Sequence, residues 1–210
     1  MKKKLFLLIL ASLMAGCSTV YYATWERLGK EKRDLLRDTV VAARHEQKEA
    51  GTEFRDALTQ LQLTYRIPPS KLQKTYDQLK INYDNLSSRY DALDRRINKM
   101  HSIATDLFEE WQEEADSMAN RSFRQKSLSH LATTQQRYDQ MRMALLRSQD
   151  RCRPVLRQFK EYVLFLKHNL NAQAIGALNN EASDIIDGLS TLIDEMNNSI
   201  AETDAFINTL

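Results

Sequence analysis

The sequence LQKTYDQLKINYDNLSSRYDALDRRINKMHSIATDLFEEW, residues 72–111, places apolar side chains at alternating steps of four and three residues. The series starts at Leu72, Tyr76 and Leu79 and reaches Trp111 through twelve positions without a miss. An average step of about 3.5 residues keeps one narrow stripe against a partner helix only if the helices supercoil around each other. The stretch therefore predicts a long helix of a coiled coil or helical bundle.

The same repeat occurs in three other parts of the chain, so we expect an all-α fold with about four helices. No run of residues alternates in the manner of a β-strand. The segment after residue 130 is the expected antiparallel partner of residues 72–111, which predicts a long coiled-coil hairpin or an elongated helical bundle. The core positions predicted in the other three segments are, in chain order, Leu36, Val40, Ala43, Gln47, Ala50, Phe54, Ala57, Leu61, Leu131, Thr134, Tyr138, Met141, Leu145, Ser148, Cys152, Val155, Phe159, Tyr162, Leu166, Asn169, Leu178, Ala182, Ile185, Leu189, Leu192, Met196, Ile200, Thr203 and Ile207.

Local signals mark the boundaries of these helices. The proline pair at residues 68–69 cannot donate amide hydrogens and should end the first helix just before it. Ser70, followed three residues later by Gln73, predicts a capping box for the second helix. Turns are expected at residues 120–122 and, more weakly marked, at residues 169–171. The second and third helices should then each run nearly 50 residues, about 70 to 75 Å at 1.5 Å per residue.

The first sixteen residues have the layout of a secretory signal peptide. Three lysines at residues 2–4 precede an apolar run over residues 5–14. That run is too short to span a bilayer, because a spanning helix needs about 20 apolar residues. We therefore expect residues 1–16 to be a cleaved export signal rather than a membrane anchor.

The residues around Cys17 resemble the bacterial lipobox. Small residues occupy positions 15–16 directly before the cysteine, although Met14 replaces the leucine that the motif usually carries. We expect Cys17 to receive acyl chains such as palmitate, which anchor a protein with about 0.8 kcal/mol per buried methylene. Residues 17–22 would be the lipidated tether. Ser18, where an aspartate would signal retention, resembles the signal for transfer to the outer membrane, with the chain facing the periplasm.

We expect the remaining chain, residues 23–210, to form a single elongated helical domain. The charge of the chain after cleavage indicates which partners it can have. Cleavage removes three of the 30 basic residues and none of the 28 acidic ones, which leaves a net charge of about −1. The signs alternate along the sequence instead of clustering on a basic face. A nucleic-acid partner is therefore not expected.

Catalytic and metal-binding motifs are missing from the sequence. The four histidines, His45, His101, His130 and His168, are too far apart to supply two ligands on one helical turn. The chain contains no nucleophile elbow, phosphate loop or dinucleotide fingerprint. We therefore expect no enzymatic activity, no cofactor and no metal. The acidic side chains crowded over residues 109–116 are interpreted as a solvated face, with a cation or a basic partner as the alternative.

Three features of the predicted core admit both a structural and a functional interpretation. Tyr76, Tyr83 and Tyr90 recur every seven residues, and each ring is expected to lie across the core with its hydroxyl at the edge. A strip of aromatic side chains that binds a partner is the alternative. Cys152 is interpreted as a small buried side chain rather than a reactive thiol, and Pro154 is expected to kink the third helix.

Residues 163–172 depart from the single-stripe pattern. Four consecutive apolar side chains here point all round the helix, and a helix that is apolar on every side is buried on every side. We expect this stretch to lie where the final helix joins the bundle, with Phe165 in the core. A partner-binding pocket is the alternative. The candidate residues of this bundle-core or partner-binding segment are Val163, Phe165, Leu166, His168, Asn169 and Asn171.

Five motifs resemble a known family. They are YYATWE at residues 21–26, EKRD at 31–34, LFEEW at 107–111, RYDQ at 137–140 and VLFLKHNLNA at 163–172. Together they resemble a family of proteobacterial lipoproteins catalogued as domain of unknown function 2959, and the last motif is the most specific. The resemblance covers essentially the whole mature chain and implies a helical, coiled-coil envelope protein. It assigns a role to none of the residues.

The sequence therefore predicts a lipid-anchored structural or interaction protein of the cell envelope, a scaffold or spacer that offers helical faces to a partner. It would contact the membrane through its acyl chains and bind a protein partner or a second copy of itself. A regulatory accessory subunit of an envelope enzyme or transporter is the alternative. Crosslinking in cells would distinguish the two.

Overall fold

The described residues form four long α-helices. The computed structural model describes residues 31–64, 69–169 and 172–209. The elements are α1 (Lys32–Thr64), a 3-10 turn (Pro69–Lys71), α2 (Leu72–Ser117), α3 (Arg121–His168) and α4 (Ala172–Ile207). No strand occurs within these ranges, so the all-α prediction is confirmed. The predicted signal peptide, Cys17 and the tether lie outside the described residues.

The two central helices have the predicted length. α2 contains 46 residues and α3 contains 48, which corresponds to about 70 Å each at 1.5 Å per residue. None of the helices over the described ranges is long and apolar enough to cross a membrane. α3 continues through Pro154, which is exposed, so the proline does not end the helix.

The helices pack as an up-down-up-down bundle. α1 packs against α2 and α4, and α3 packs against the same two helices. Lys32 pairs with Glu110, and Glu46 pairs with Arg96, so residue numbers fall along α2 as they rise along α1. We call the end where α1 begins and α2 turns into α3 the near end. The far end is the opposite one, where α1 and α3 finish.

The buried apolar side chains of the described residues form two clusters, one toward each end. The near-end cluster includes Leu36, Met100, Tyr138 and Phe206, with Phe108 and Phe206 both edge-on to the Tyr138 ring at 5.6 and 5.8 Å between ring centroids. The far-end cluster is formed by the other halves of the same helices. It includes Phe54, Leu79, Phe159 and Leu189.

The predicted core positions of α1 and α3 are largely confirmed. All eight positions of α1 are buried, and in α3 every position is buried except Thr134 and Asn169, which are half-buried. In α2 the tyrosines of the repeat are half-buried, as expected for rings that lie across the core. The hydroxyl of Tyr90 accepts a hydrogen bond from Nη2 of Arg153 at 3.2 Å, at the edge of the α2–α3 interface.

The prediction for the last turns of α4 was wrong by one residue. Ser199 and Phe206 are buried, whereas Ile200 and Ile207 are only half-buried. The buried series therefore keeps strict steps of three and four residues up to Phe206. Burial of Phe206 against Tyr138 removes a large apolar surface from water, which outweighs the cost of placing a serine in the core one heptad earlier.

The helix caps also differ from the prediction. α2 starts after the 3-10 turn at Lys71, and no side chain caps it, so the Ser70–Gln73 capping box is wrong. Gln73 instead donates from Nε2 to Oδ1 of Asp77 at 3.0 Å. α3 is capped by Asn120, whose Oδ1 accepts from the backbone N–H groups of the second and third residues that follow it, at 3.0 and 3.2 Å. An asparagine is among the best N-cap residues, because its short side chain reaches these unpaired N–H groups.

Candidate functional site

The candidate segment at the end of α3 lies half inside and half outside the bundle. Val163 and Leu166 are buried in the far-end cluster. Leu164 and Phe165 are 46% and 41% exposed, so the expectation that Phe165 fills a core position was wrong. The reason is geometrical: α3 packs against α2 and α4 on its inner sides, and no further helix of the described ranges covers its outer side.

The polar residues of this segment form the end of α3. Asn169 is the C-cap; its backbone N–H donates to the carbonyl of Leu166 at 3.2 Å, and its Nδ2 donates to the carbonyl of Phe165 at 2.9 Å. Both bonds lie within the last turn of α3. His168 is exposed in the last turn. Asn171 lies outside the described residues.

The far end also exposes an apolar side chain of α1. Leu63, in the last turn of α1, is 56% exposed. We call Leu63, Leu164 and Phe165 the far-end apolar residues. Scattered exposed apolar side chains are ordinary on a protein surface. Here they belong to two different helices that finish at the same end of the rod.

An ion-pair cluster around the buried Glu46 joins α1 to α2 near the middle of the bundle. Glu46 is 9% exposed. Its Oε1 accepts hydrogen bonds from Nε and Nη2 of Arg96 at 3.2 and 3.0 Å, and its Oε2 accepts one from Nη1 of Arg89 at 3.2 Å. Burial alone would raise the pKa of Glu46, but the hydrogen bonds and charges of the two arginines hold the pKa below its ordinary value of 4.5.

Sequence reasoning did not single out this ion-pair cluster, although a signal was present. Arg89 and Arg96 are one heptad apart and each stands three residues after a core leucine, so both flank the core on the same side of α2. Charged residues at such flanking positions commonly pair across helices. What the sequence did not reveal was which acidic residue of which helix they face.

The acidic segment of α2 is a solvated face, as predicted. Glu109, Glu113, Glu114 and Asp116 are exposed. Glu110 pairs with Nζ of Lys32 at 3.2 Å, which ties the start of α1 to α2. Among the described residues, no group of histidine, cysteine and acidic side chains is arranged to hold a metal ion.

Cys152 and Tyr138 are titratable groups enclosed by the core. Burial raises the pKa of the Cys152 thiol to about 12, so the thiol stays protonated and unreactive at neutral pH. Burial also raises the pKa of Tyr138, whose hydroxyl lies 3.4 Å from Nδ1 of His101. The His101 ring stacks over Tyr138 with centroids 6.4 Å apart. The Tyr138–His101 contacts pack α2 against α3. The burial of Cys152 itself confirms that it is a core residue.

Comparison with known proteins identifies the family. No curated protein and no solved structure matches the chain. The model of the family described as "Protein of unknown function (DUF2959)" matches residues 21–210, which confirms the family predicted from the five sequence motifs. The chain therefore belongs to the DUF2959 family.

Proposed function

We propose that this chain is a lipid-anchored structural or interaction protein of the bacterial cell envelope. It acts as a helical spacer or scaffold that holds a binding surface away from its membrane. The observation that carries the proposal is the length of the bundle, in which α3 alone extends over 48 residues, about 72 Å at 1.5 Å per residue. The predicted signal peptide and the lipobox-like residues before Cys17 are the basis of the proposed anchor.

The direction of the rod supports a spacer role. A chain anchored at Cys17 enters the bundle at the near end, because α1 begins there at Lys32. α1 then runs 33 residues toward the far end, which corresponds to about 50 Å. The far-end apolar residues would thus be held well beyond the anchor, where a partner in the periplasm can reach them.

Polar contacts across the helix interfaces support a rigid rod. Besides the Glu46 cluster, Nη2 of Arg44 on α1 donates to Oδ2 of Asp204 on α4 at 3.0 Å. Nε of Arg151 on α3 lies 3.2 Å from Oε1 of Glu195 on α4. Exposed pairs of this kind contribute little stability each, about 0 to 1 kcal/mol. Their value to a spacer is that they align each helix with its neighbour.

The anchor is tested by labelling with a radioactive or clickable palmitate in cells. The unmodified chain and a Cys152→Ser variant should both incorporate the label, whereas Cys17→Ser should incorporate none and remain uncut. Cys152→Ser is the matched control because it removes the other cysteine of the chain. Label in the Cys17→Ser protein, or a mature N-terminus elsewhere, would disprove the anchor.

The interaction role is tested by photocrosslinking in cells. A photoreactive amino acid at Leu164 or Phe165 should capture the same envelope protein. The same substitution at Met143, an exposed apolar position on α3 away from the far end, should not. Equal capture at all three positions, or none at the far end, would contradict the proposal. A captured enzyme or transporter whose activity depends on this chain would instead identify the chain as a regulatory subunit.

A further inference from the structure

Buried polar side chains separate the two apolar clusters. Gln47 of α1, Ser148 and Gln149 of α3 and Ser199 of α4 are all at most 6% exposed, and Gln47 is completely buried. They follow the near-end cluster and precede the far-end cluster along α1 and α3. We call these four residues the polar layer. Gln47, Ser148 and Ser199 occupy core positions of their heptads, so they face inward with the apolar side chains.

Contacts on both sides place Gln47 level with Ser199. Arg44, three residues before Gln47, bonds to Asp204. Gly51, four residues after Gln47, faces Met196. The Cε of Met196 lies 3.9 Å from the position that a Cβ on residue 51 would occupy. α1 and α4 are antiparallel, so Gln47 is bracketed at the level of Ser199, between Met196 and Asp204.

Contacts through α2 place Gln149 near this level. Glu46 bonds to Arg89 and Arg96 of α2, and Tyr90 of α2 bonds to Arg153 of α3. Gln149 lies one turn before Arg153 and therefore falls within about one helical turn of the level of Gln47. α1 and α3 lie diagonally opposite each other in the four-helix bundle, so their core side chains meet near the axis of the bundle.

The polar layer contains hydrogen-bonding atoms that the described protein atoms leave unpaired. Both amide atoms of Gln47, Nε2 of Gln149 and Oγ of Ser199 are fully enclosed and have no hydrogen-bond partner among them. Enclosing such groups without partners is unfavourable, and in folded proteins nearly all of them are paired with protein or ordered water.

The chemistry of these atoms identifies the ligand. The layer presents amide donors, one amide acceptor and a hydroxyl that does either, so the ligand must donate as well as accept. The layer itself carries no charge, because glutamine and serine side chains are neutral. The carboxylate of the adjacent Glu46 is already bonded to two arginines of α2. A ligand that is small, neutral and both donor and acceptor is water, which typically makes about three hydrogen bonds when buried.

We propose that the polar layer is an internal water site at the middle of the bundle, where bound water bridges Gln47, Gln149 and Ser199. The water divides the core into two apolar halves and satisfies side chains that would otherwise oppose burial. The site is independent of the proposed envelope role, because it depends only on the packing of the four helices.

The site is tested by NMR on the purified protein with ¹⁵N-labelled glutamine side chains. The side-chain amide protons of Gln47 and Gln149 should show NOE and ROE cross peaks to water of opposite sign, the signature of a long-lived bound water. The exposed Gln62 of α1 should show cross peaks of the same sign. Same-sign or absent water cross peaks at Gln47 would overturn the proposal.

Variants sharpen the test. Gln47→Leu should abolish the long-lived water cross peaks of Gln149, whereas the matched control Gln62→Leu should leave them unchanged. Ser199→Ala provides a smaller change in case Gln47→Leu does not fold, and it should weaken the cross peaks at both glutamines. Unchanged cross peaks in a folded Gln47→Leu or Ser199→Ala protein would overturn the bridging role. A bromide-soaked crystal with an anomalous peak in the layer would assign the site to an anion and refute the water.

Discussion

Glu46 is a buried charged residue, which the bundle encloses between Arg89 and Arg96. Its pKa is lower in the folded protein than the ordinary value of 4.5. The unfolded chain therefore binds this proton more tightly, and the contribution of Glu46 to stability is present above pH 4.5. It is lost as the pH falls through the lowered pKa of the folded state.

We predict that Glu46→Gln lowers the free energy of unfolding at pH 7 by about 1 kcal/mol, a modest value because both arginines are more than a third exposed to screening solvent. The variant should also lose stability less steeply between pH 5 and pH 3 than the parent, by about the same amount. Urea unfolding at a series of pH values measures both effects. Glu49→Gln is the matched control, because Glu49 is 3.7 Å from Arg89 and 45% exposed. Equal losses in the two variants would refute the special role of Glu46.

Two phenylalanines of α3 differ in how deeply they are buried. Phe159 is completely buried and edge-on to Tyr83, whereas Phe165 is 41% exposed. We predict that Phe159→Ala lowers the free energy of unfolding by about 3 to 5 kcal/mol, as expected for a large core side chain. Phe165→Ala should lower it by less than about 1.5 kcal/mol, because a large part of the Phe165 side chain already contacts solvent in the folded protein. Denaturant unfolding of both variants measures the two losses of stability. A larger loss for Phe165→Ala than for Phe159→Ala would contradict the described packing.

At the level of the helix, the start of α3 is capped by the side chain of Asn120, whereas the start of α2 has no side-chain cap. We predict that Asn120→Ala destabilises the protein by about 1 kcal/mol, because it removes the acceptor of two backbone N–H groups. Ser70→Ala should change stability by less than about 0.5 kcal/mol, since α2 has no side-chain cap. Thermal unfolding compares the two. A larger effect at Ser70 would restore the capping box that the structure lacks.

Neighbouring helices could pack in more than one register, because the apolar positions of each helix repeat every seven residues. A slip of one heptad would keep most apolar side chains against apolar neighbours. It would, however, place Gln47 against a wholly apolar level and separate Arg44 from Asp204. Polar residues at core positions set register in this way, at some cost in stability. The polar layer and the ion pairs beside it therefore align helices whose apolar repeats alone are degenerate.

For the whole molecule, the prediction concerns shape. Small-angle X-ray scattering of the chain beginning at Ser18 should give a maximum dimension above about 70 Å, since α3 alone has this length. A compact particle of this mass would instead measure only about 40 Å across. A maximum dimension near the smaller value would contradict the bundle.

The heptad repeats identified the four helices and most of their buried faces, and with the boundary signals they predicted the lengths of α2 and α3. This was possible because which side of a helix is apolar is a property of residues three and four apart, and needs no knowledge of the partner. The DUF2959 family was identified differently, from the resemblance of five motifs and the match of the family model. Lipidation at Cys17 is predicted from the residues that precede the cysteine.

The sequence did not reveal how those faces meet. It did not show that Leu164 and Phe165 remain outside, that Ser199 replaces Ile200 in the core, or that Arg89 and Arg96 share Glu46. Each depends on which helices lie beside a given face and at what level, and those contacts join residues far apart in the chain. A repeat identifies a buried face, but only the packing of four helices determines which neighbour covers it and which polar atoms are left to bind water.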